Sequence, residues 1–307
     1  MAREIQAVTI SQATMETIKS CSWGEVHSVF EKAFNILMNG RLIGVGRKDV
    51  SPGPFNMIVD LPPNKNMREL KIERGIPVAV KNGKVMIGDF ITIRISDASI
   101  WKPKTKTRAK SVEEIKRNWR VGKETAISAG TMKGFGMLIP LIEKILSNED
   151  VPQLEGAEKA AYKYLTFLVD LVLRRKTTEL EEPARGLIGL GAGLTPSGDD
   201  VLSGFMAALW WLCSSLGVGV EDVKKINDAI TAQARQTTLL SRQILDHASK
   251  GEVAERVEKL LEALLAGGAE DVERHVNDVI KIGETSGTDM LLGILLGVKV
   301  GLALAEG

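Results

Sequence analysis

From Val201 to Val220 the chain reads VLSGFMAALWWLCSSLGVGV, twenty residues without one charged side chain. Such a segment has two homes. One is a bilayer, which needs about 20 consecutive apolar residues. The other is the interior of a domain large enough to surround it. The flanks favour the interior. Asp199, Asp200, Glu221 and Asp222 stand at its ends, where a membrane span would carry a basic bias on one side. Three serines and three glycines interrupt it, and Trp210 and Trp211 sit in its middle rather than at an interface. The reading is a buried core helix ending near Ser214, so the second half of the chain must be helical enough to wrap it.

The rest of that half agrees. SVEEIKRNWRVGKETAI opens with Ser111 and Glu114 at capping-box spacing. Further helices are predicted over 137–147, 155–177, 200–215, 221–249, 252–266, 270–282 and 289–305. The first hundred residues differ. NILMNGRLIGVG and PVAVKNGKVMIG each place Asn-Gly (Asn39-Gly40, Asn82-Gly83) between apolar runs, the mark of a type I′ hairpin. FNMIVDLP and DFITIRISDASIW supply further strands. About five to eight short antiparallel strands in a small barrel or sandwich are expected. The fold class is therefore α+β: a β-rich part over 1–105 and a mainly helical part over 106–307. The basic connector KPKTKTRAK lies at the change of texture and reads as a solvated linker.

Composition removes several functions. The 307 residues carry net charge +1 and only 5% aromatics, which fits neither a charge-driven nucleic-acid binder nor a base-stacking platform. Cys21 and Cys213 make neither a zinc site nor a disulfide framework, and the three histidines lack metal-ligand spacing. The N-terminus shows no long apolar region or cleavage signal. A cytoplasmic location is expected, with no membrane and no nucleic acid as partner.

The chemistry concentrates in GLGAGLTPSGDD, residues 189–200. A glycine-rich loop entering a helix presents free N–H groups to phosphate or carboxylate. Thr195 and Ser197 add hydroxyls, and Asp199 and Asp200 add acceptors for an amide or ligands for a cation. The pattern echoes further on. SGDDVLSGF (197–205) and SGTDMLLGI (286–294) both read Ser-Gly-x-Asp-x-Leu-x-Gly-apolar, 89 positions apart. On a helix Ser197, Asp200 and Gly204 share one stripe, as do Ser286, Asp289 and Gly293. Each serine is a candidate N-cap, and each aspartate sits where the helix dipole favours negative charge. An ordinary capped helix start accounts for one copy alone. It does not account for Gly189, Gly191, Gly193, Thr195, Pro196 and a second acid. Neither a dinucleotide GxGxxG, a P-loop nor a GxSxG elbow is present.

The segment GLGAGLTPSGDDVLSG resembles the signature of the AllH family, roughly GLGxGLTPSGDDxLxG. HSVFEKAFNIL (27–37), RQTTLLSRQILDHASKG (235–251) and IGETSGTDMLLGILLG (282–297) are similar to other stretches of that family. The resemblance implies a subunit of oxamate carbamoyltransferase in allantoin breakdown. That reaction interconverts oxalurate and phosphate with oxamate and carbamoyl phosphate. The resemblance also implies partner subunits similar to acyl-CoA ligases, and hence a hetero-oligomer. A small anionic amide or phosphate is the expected substrate. Gly191, Gly193, Thr195, Ser197, Gly198, Ser286 and Gly287 are the expected substrate contacts, with Arg235 as counter-charge. Asp199, Asp200 and Asp289 are the expected catalytic acids. Two alternatives stay open. One is a magnesium-dependent hydrolase, with Asp199 and Asp200 as ligands of magnesium, the one cofactor to consider. The other is a non-catalytic ligand-binding or scaffold subunit.

Overall fold

The computed structural model describes residues 3–150 and 153–306. The chain divides into two compact units, one running to Pro103 and one beginning at Lys104. The class is α+β: a barrel over 3–101 is followed by a mostly helical region.

The first unit contains β1 (Arg3–Ser11), α1 (Gln12–Ser20), β2 (Trp23–Val29), β3 (Ala33–Met38), β4 (Arg41–Gly46) and β5 (Asn56–Val59). It continues with β6 (Pro77–Lys81), β7 (Lys84–Ile87), β8 (Ile91–Arg94) and β9 (Ser99–Trp101). The sheet order is β5-β4-β3-β2-β6-β7-β8-β1-β9, and a β5–β1 pairing closes eight of the strands into a ring. Both Asn-Gly turns adopt the backbone expected of them, with φ of 49° and 72° at Asn39-Gly40 and of 51° and 70° at Asn82-Gly83. The antiparallel expectation is corrected at three places. The β4–β5, β1–β8 and β1–β9 pairs are parallel, because the connections between their strands return the chain to its starting direction. DFITIRISDASIW forms two strands rather than one. Helix α1 is a further addition, capped by Ser11, whose hydroxyl accepts the Thr14 N–H at 3.1 Å. Val26, Ile36, Val45, Met57, Val78, Val85, Ile87 and Ile93 are fully buried and fill the inside, as eight strands allow.

The second unit contains α2 (Val112–Ala129), α3 (Ile142–Leu146), α4 (Gly156–Leu173), α5 (Glu181–Leu187) and α6 (Ser197–Leu216). It ends with α7 (Val220–Thr231), α8 (Leu239–Ala248), α9 (Glu255–Ala266), α10 (Ala269–Ile280) and α11 (Ser286–Glu306). The capping box at Ser111 and Glu114 forms as expected. The single helix expected over 221–249 is two helices, because Thr238 caps a new start by accepting the Ser241 N–H at 3.1 Å. Over 137–147 a 3-10 stretch, Gly134–Leu141, replaces most of the expected helix, and Pro140 lies inside it. The start of the uncharged segment, Val201 to Leu209, is wholly buried in α6. Its partner α11 is long and apolar enough to cross a membrane, yet 72% of its most apolar stretch is buried inside the unit. Such a helix satisfies the same test as a span while serving as core.

The adjacent tryptophans on α6 have a physical reason. Trp211 Nε1 donates to the Gly251 carbonyl at 2.8 Å, while the Trp210 ring lies where a Cβ on Gly251 would be, 2.3 Å away. The two indoles hold one glycine between them, and its φ of 77° favours glycine as well.

The connector is tied down at its backbone. The Lys104 N–H donates to Glu258 Oε1 at 2.8 Å and the Thr107 N–H to Ser215 Oγ at 3.0 Å. Glu258 is only 3% exposed. Burial pushes its carboxyl up to about 7, against the Lys104 contacts that lower it, and the Glu255 and Glu262 charges add to the rise. A carboxyl raised on folding holds its proton more tightly in the folded state. Stability therefore falls as pH climbs from the unfolded value near 4.5 through about 7. Glu258→Gln keeps the acceptor for Lys104 and removes the slope. It is expected to stabilise the chain at pH 8 by up to about 3 kcal/mol, at 1.36 kcal/mol per unit, and by little at pH 4. Urea denaturation at the two pH values checks this; equal effects at both would contradict it.

Candidate functional site

The two Ser-Gly-x-Asp copies start α6 and α11, and these helices cross in a locally two-fold arrangement. A Cβ on Gly204 would lie 2.2 Å from the Met290 carbonyl oxygen, and one on Gly293 would lie 1.9 Å from that of Val201. Each glycine is thus the eighth residue of its motif, and each opposes the fifth residue of the other copy. Only glycine permits such backbone contact. The second motif residues behave alike. Gly198 and Gly287 face the carbonyls of Leu187 and Val279, where a Cβ would come within 2.0 and 2.1 Å. Their N–H groups donate to Leu190 and Ile282 at 2.9 Å each. Gly198 and Gly287, expected substrate contacts from the sequence, thus pack closely against neighbouring backbone.

This crossing brings the first turns of both helices to one end. The hydroxyls of Thr195 and Ser286 are 3.1 Å apart. Asp200 and Asp289, at equivalent positions, are 3% and 0% exposed. Asp289 Oδ1 accepts the N–H groups of Phe135 and Gly136 at 2.6 and 2.9 Å. Its Oδ2 is buried with no hydrogen-bond partner, and so is Asp200 Oδ2. Native proteins rarely leave buried acceptors unused.

The surroundings separate the two acids. Burial raises the Asp289 carboxyl, but the Ser197 and Thr285 hydroxyls and the two amides favour its anion. Burial raises Asp200 well above the usual carboxylate range. The Ser286 and Thr195 hydroxyls oppose that rise, while the charges of Asp289 and Asp199 add to it. Burial therefore pushes both carboxyls up, Asp200 the further, while Asp289 has more donors favouring its anion.

Asp199, one residue away on the helix, points elsewhere. Its Oδ1 accepts the Gly189 N–H at 2.9 Å and its Oδ2 the Thr237 hydroxyl. Burial is what raises its carboxyl, and these donors lower it. Both oxygens thus bind the glycine loop to the segment before α8. Among the described residues no three His, Cys, Asp or Glu side chains gather as a metal site.

The glycine loop itself is open. Gly189, Gly191 and Gly193 have φ of 75°, 108° and 100°, alternating with the negative φ of Leu190 and Ala192. Alternation of φ sign along a loop is a feature of the backbone nests that bind anions. The N–H groups of Gly191, Ala192, Gly193, Leu194, Thr195 and Ser197 donate to nothing among the described residues. The loop is held by its carbonyl instead: Leu194 O accepts the Thr238 hydroxyl at 2.7 Å. The cap differs from the expectation. Pro196, not Ser197, is the N-cap, and its carbonyl accepts the N–H groups of Asp199 and Asp200. Proline suits the position because no N–H is wanted there. Ser286 is likewise the first residue of α11.

Arg235 lies on a 3-10 turn, Ala234–Gln236, with its side chain exposed, and no bond joins it to Asp200 or Asp289. Sequence reasoning missed the loop 130–136 altogether. That loop supplies both amides to Asp289, and a Cβ on Gly134 (φ 63°) would lie 2.8 Å from either Asp289 oxygen and 3.1 Å from Ser197 Oγ. It also carries Lys133, whose Nζ is 2.8 Å from Glu284 Oε1. The two glycines of TMKGFG were the available signal.

The chain is thus a β-barrel unit followed by a helical unit that carries a buried acid pair and an open glycine-rich loop. Residues 187–298 match the family model described as oxamate carbamoyltransferase subunit AllH, and residues 6–100 match the AllH family N-terminal domain. The chain belongs to the AllH family. The family description names a transferase subunit, which implies a complex with other subunits. No solved structure matches the chain.

Proposed function

We propose that the chain binds the small anionic amide of a carbamoyltransferase, of the oxamate and carbamoyl phosphate type, at the joint mouth of α6 and α11. One observation carries this reading: two buried carboxyl oxygens, Asp200 Oδ2 and Asp289 Oδ2, lack partners beside a row of unpaired loop N–H groups. A primary amide has two N–H donors for those oxygens. Its carboxylate or phosphate end suits the N–H groups of Gly191, Gly193 and Ser197, with the Thr195 and Ser197 hydroxyls.

The unequal acids suggest a division of labour. When phosphate oxygen attacks the ureido carbonyl of oxalurate, a C–O bond forms and the C–N bond breaks. The departing oxamate nitrogen must then gain a proton. Asp200 supplies it and recovers one from the phosphate, while Asp289 holds the carbamoyl amide. Asp199 serves to fix the loop. Partner subunits and a cytoplasmic setting belong to the same reading.

Isothermal titration of the isolated chain with oxamate and with oxalate tests it, since oxalate lacks the –NH2. Leaving a buried acceptor unpaired costs about 1–3 kcal/mol. A preference for oxamate of about tenfold to a hundredfold is expected, and Asp289→Asn should lose it. Equal binding of both ligands would remove the amide from the proposal.

A further inference from the structure

Three loops border the acid pair: residues 130–136, 189–196 and 283–286. Together they carry one basic side chain, Lys133, and one unburied acid, Glu284. These two face each other, Nζ to Oε1 at 2.8 Å, with side-chain exposures of 72% and 78%. Neither has another ion-pair partner among the described residues. The pair links the loop that grips Asp289 to the turn that starts α11.

We infer that Lys133 binds the anionic end of the ligand, and that Glu284 is its resting counter-ion, displaced when the ligand arrives. The inference rests on the proposed reading of the acid pair as the amide-binding end. Three features support it. First, Lys133 is tethered to the site. A Cβ on Gly134 would meet the Asp289 carboxyl, and the next two N–H groups hold Asp289 Oδ1. The backbone beside Lys133 is fixed, while its four-carbon stem stays free to swing. Second, the three loops carry no other cation among the described residues. The row of N–H groups in the glycine loop offers partial charges only, and Arg235 points to solvent. A phosphate dianion buried near two carboxyls needs a full positive charge, and lysine supplies it as a compact point charge. Third, an exposed lone ion pair holds weakly. A doubly charged phosphate therefore competes well against the single carboxylate of Glu284 for the ammonium.

Titration of carbamoyl phosphate and of oxamate into wild type, Lys133→Met and Glu284→Gln tests the arrangement. Both substitutions fall on exposed side chains, so the folded chain is retained, and its thermal melt confirms that. Lys133→Met should weaken both ligands by tenfold or more and flatten the dependence of affinity on salt. Glu284→Gln should strengthen them severalfold, because the competitor is gone. If wild type binds and Lys133→Met binds equally well, the inference is overturned while the reading of the acid pair stands. If Glu284→Gln weakens binding as Lys133→Met does, the pair is a structural latch and the inference is again overturned. If wild type binds neither ligand, the reading of the site fails and takes this inference with it.

Discussion

Replacing Gly293 with alanine is expected to destabilise the helical unit by about 3–5 kcal/mol, at or beyond the upper end of ordinary overpacking costs. Helix propensity alone predicts the opposite, since alanine is favoured over glycine in a helix interior by about 1 kcal/mol. Geometry decides between them. The new Cβ would lie 1.9 Å from the Val201 carbonyl and 2.8 Å from the Phe205 nitrogen, both backbone atoms of the facing helix. Neither moves aside as a side-chain tip does, so α6 and α11 must separate along their length. Gly204 and Gly297, with prospective contacts of 2.2 and 2.6 Å, report the same closeness from either side. Gly122→Ala on α2 is the matched control, because its Cβ would meet only side-chain carbons at 3.4 Å or more. Urea denaturation should show the control at or above wild type and Gly293→Ala far below it. Equal stability of the two variants would contradict the crossing.

The same glycines show why part of this molecule was legible in its sequence. Asn39-Gly40 and Asn82-Gly83 demand positive φ locally, so two hairpins followed from four residues. Ser111 and Glu114 satisfy one another within a turn. The repeated Ser-Gly-x-Asp pattern disclosed two equivalent helix starts, and an uncharged stretch disclosed the core. What was hidden depends on distance in the chain. The donors to Asp289 are backbone amides 154 and 153 residues away, and a backbone amide has no residue type to announce it. The parallel pairings of β1 depend on which strands the barrel brings beside it. The break over 232–238 lacks glycine and proline; only Thr237 and Thr238 mark it, and Thr237 is there to hold Asp199. The close packing at Gly198 and Gly287 was hidden too, because sequence cannot distinguish a backbone approached by a ligand from one approached by a helix.

The locally two-fold crossing also explains how a site so poor in charge arises. Two similar helix starts meeting at one end place like acids together, and neither copy supplies a cation. The asymmetry comes from the flanking loops. Residues 130–136 hold Asp289 through two amides, whereas Asp200 has hydroxyl neighbours alone. The two acids thereby differ in their surroundings, and the proposed division into anion and proton carrier rests on that difference.

Asp200→Asn should then uncouple function from stability. In the assembled transferase, loss of the proton donor is expected to lower carbamoyl transfer by about 10²–10⁴-fold. The wild-type rate is expected to fall at alkaline pH as Asp200 loses its proton, and that fall should vanish from what activity the variant retains. Stability should move the other way. The folded chain holds the Asp200 proton more tightly than the unfolded chain does, because burial raises that carboxyl. Wild type therefore loses stability as pH rises from the unfolded value toward the raised one, and asparagine has no proton to lose. The variant should melt above wild type at pH 8, with the gap closing toward pH 4. Its amide nitrogen also offers a donor to the buried Asp289 nearby. Thermal melts across that range, beside initial rates, give both readouts. A variant that is inactive and less stable at pH 8 would mean that Asp200 is a structural anion and not the proton carrier. A variant that is fully active would place the chemistry on another subunit.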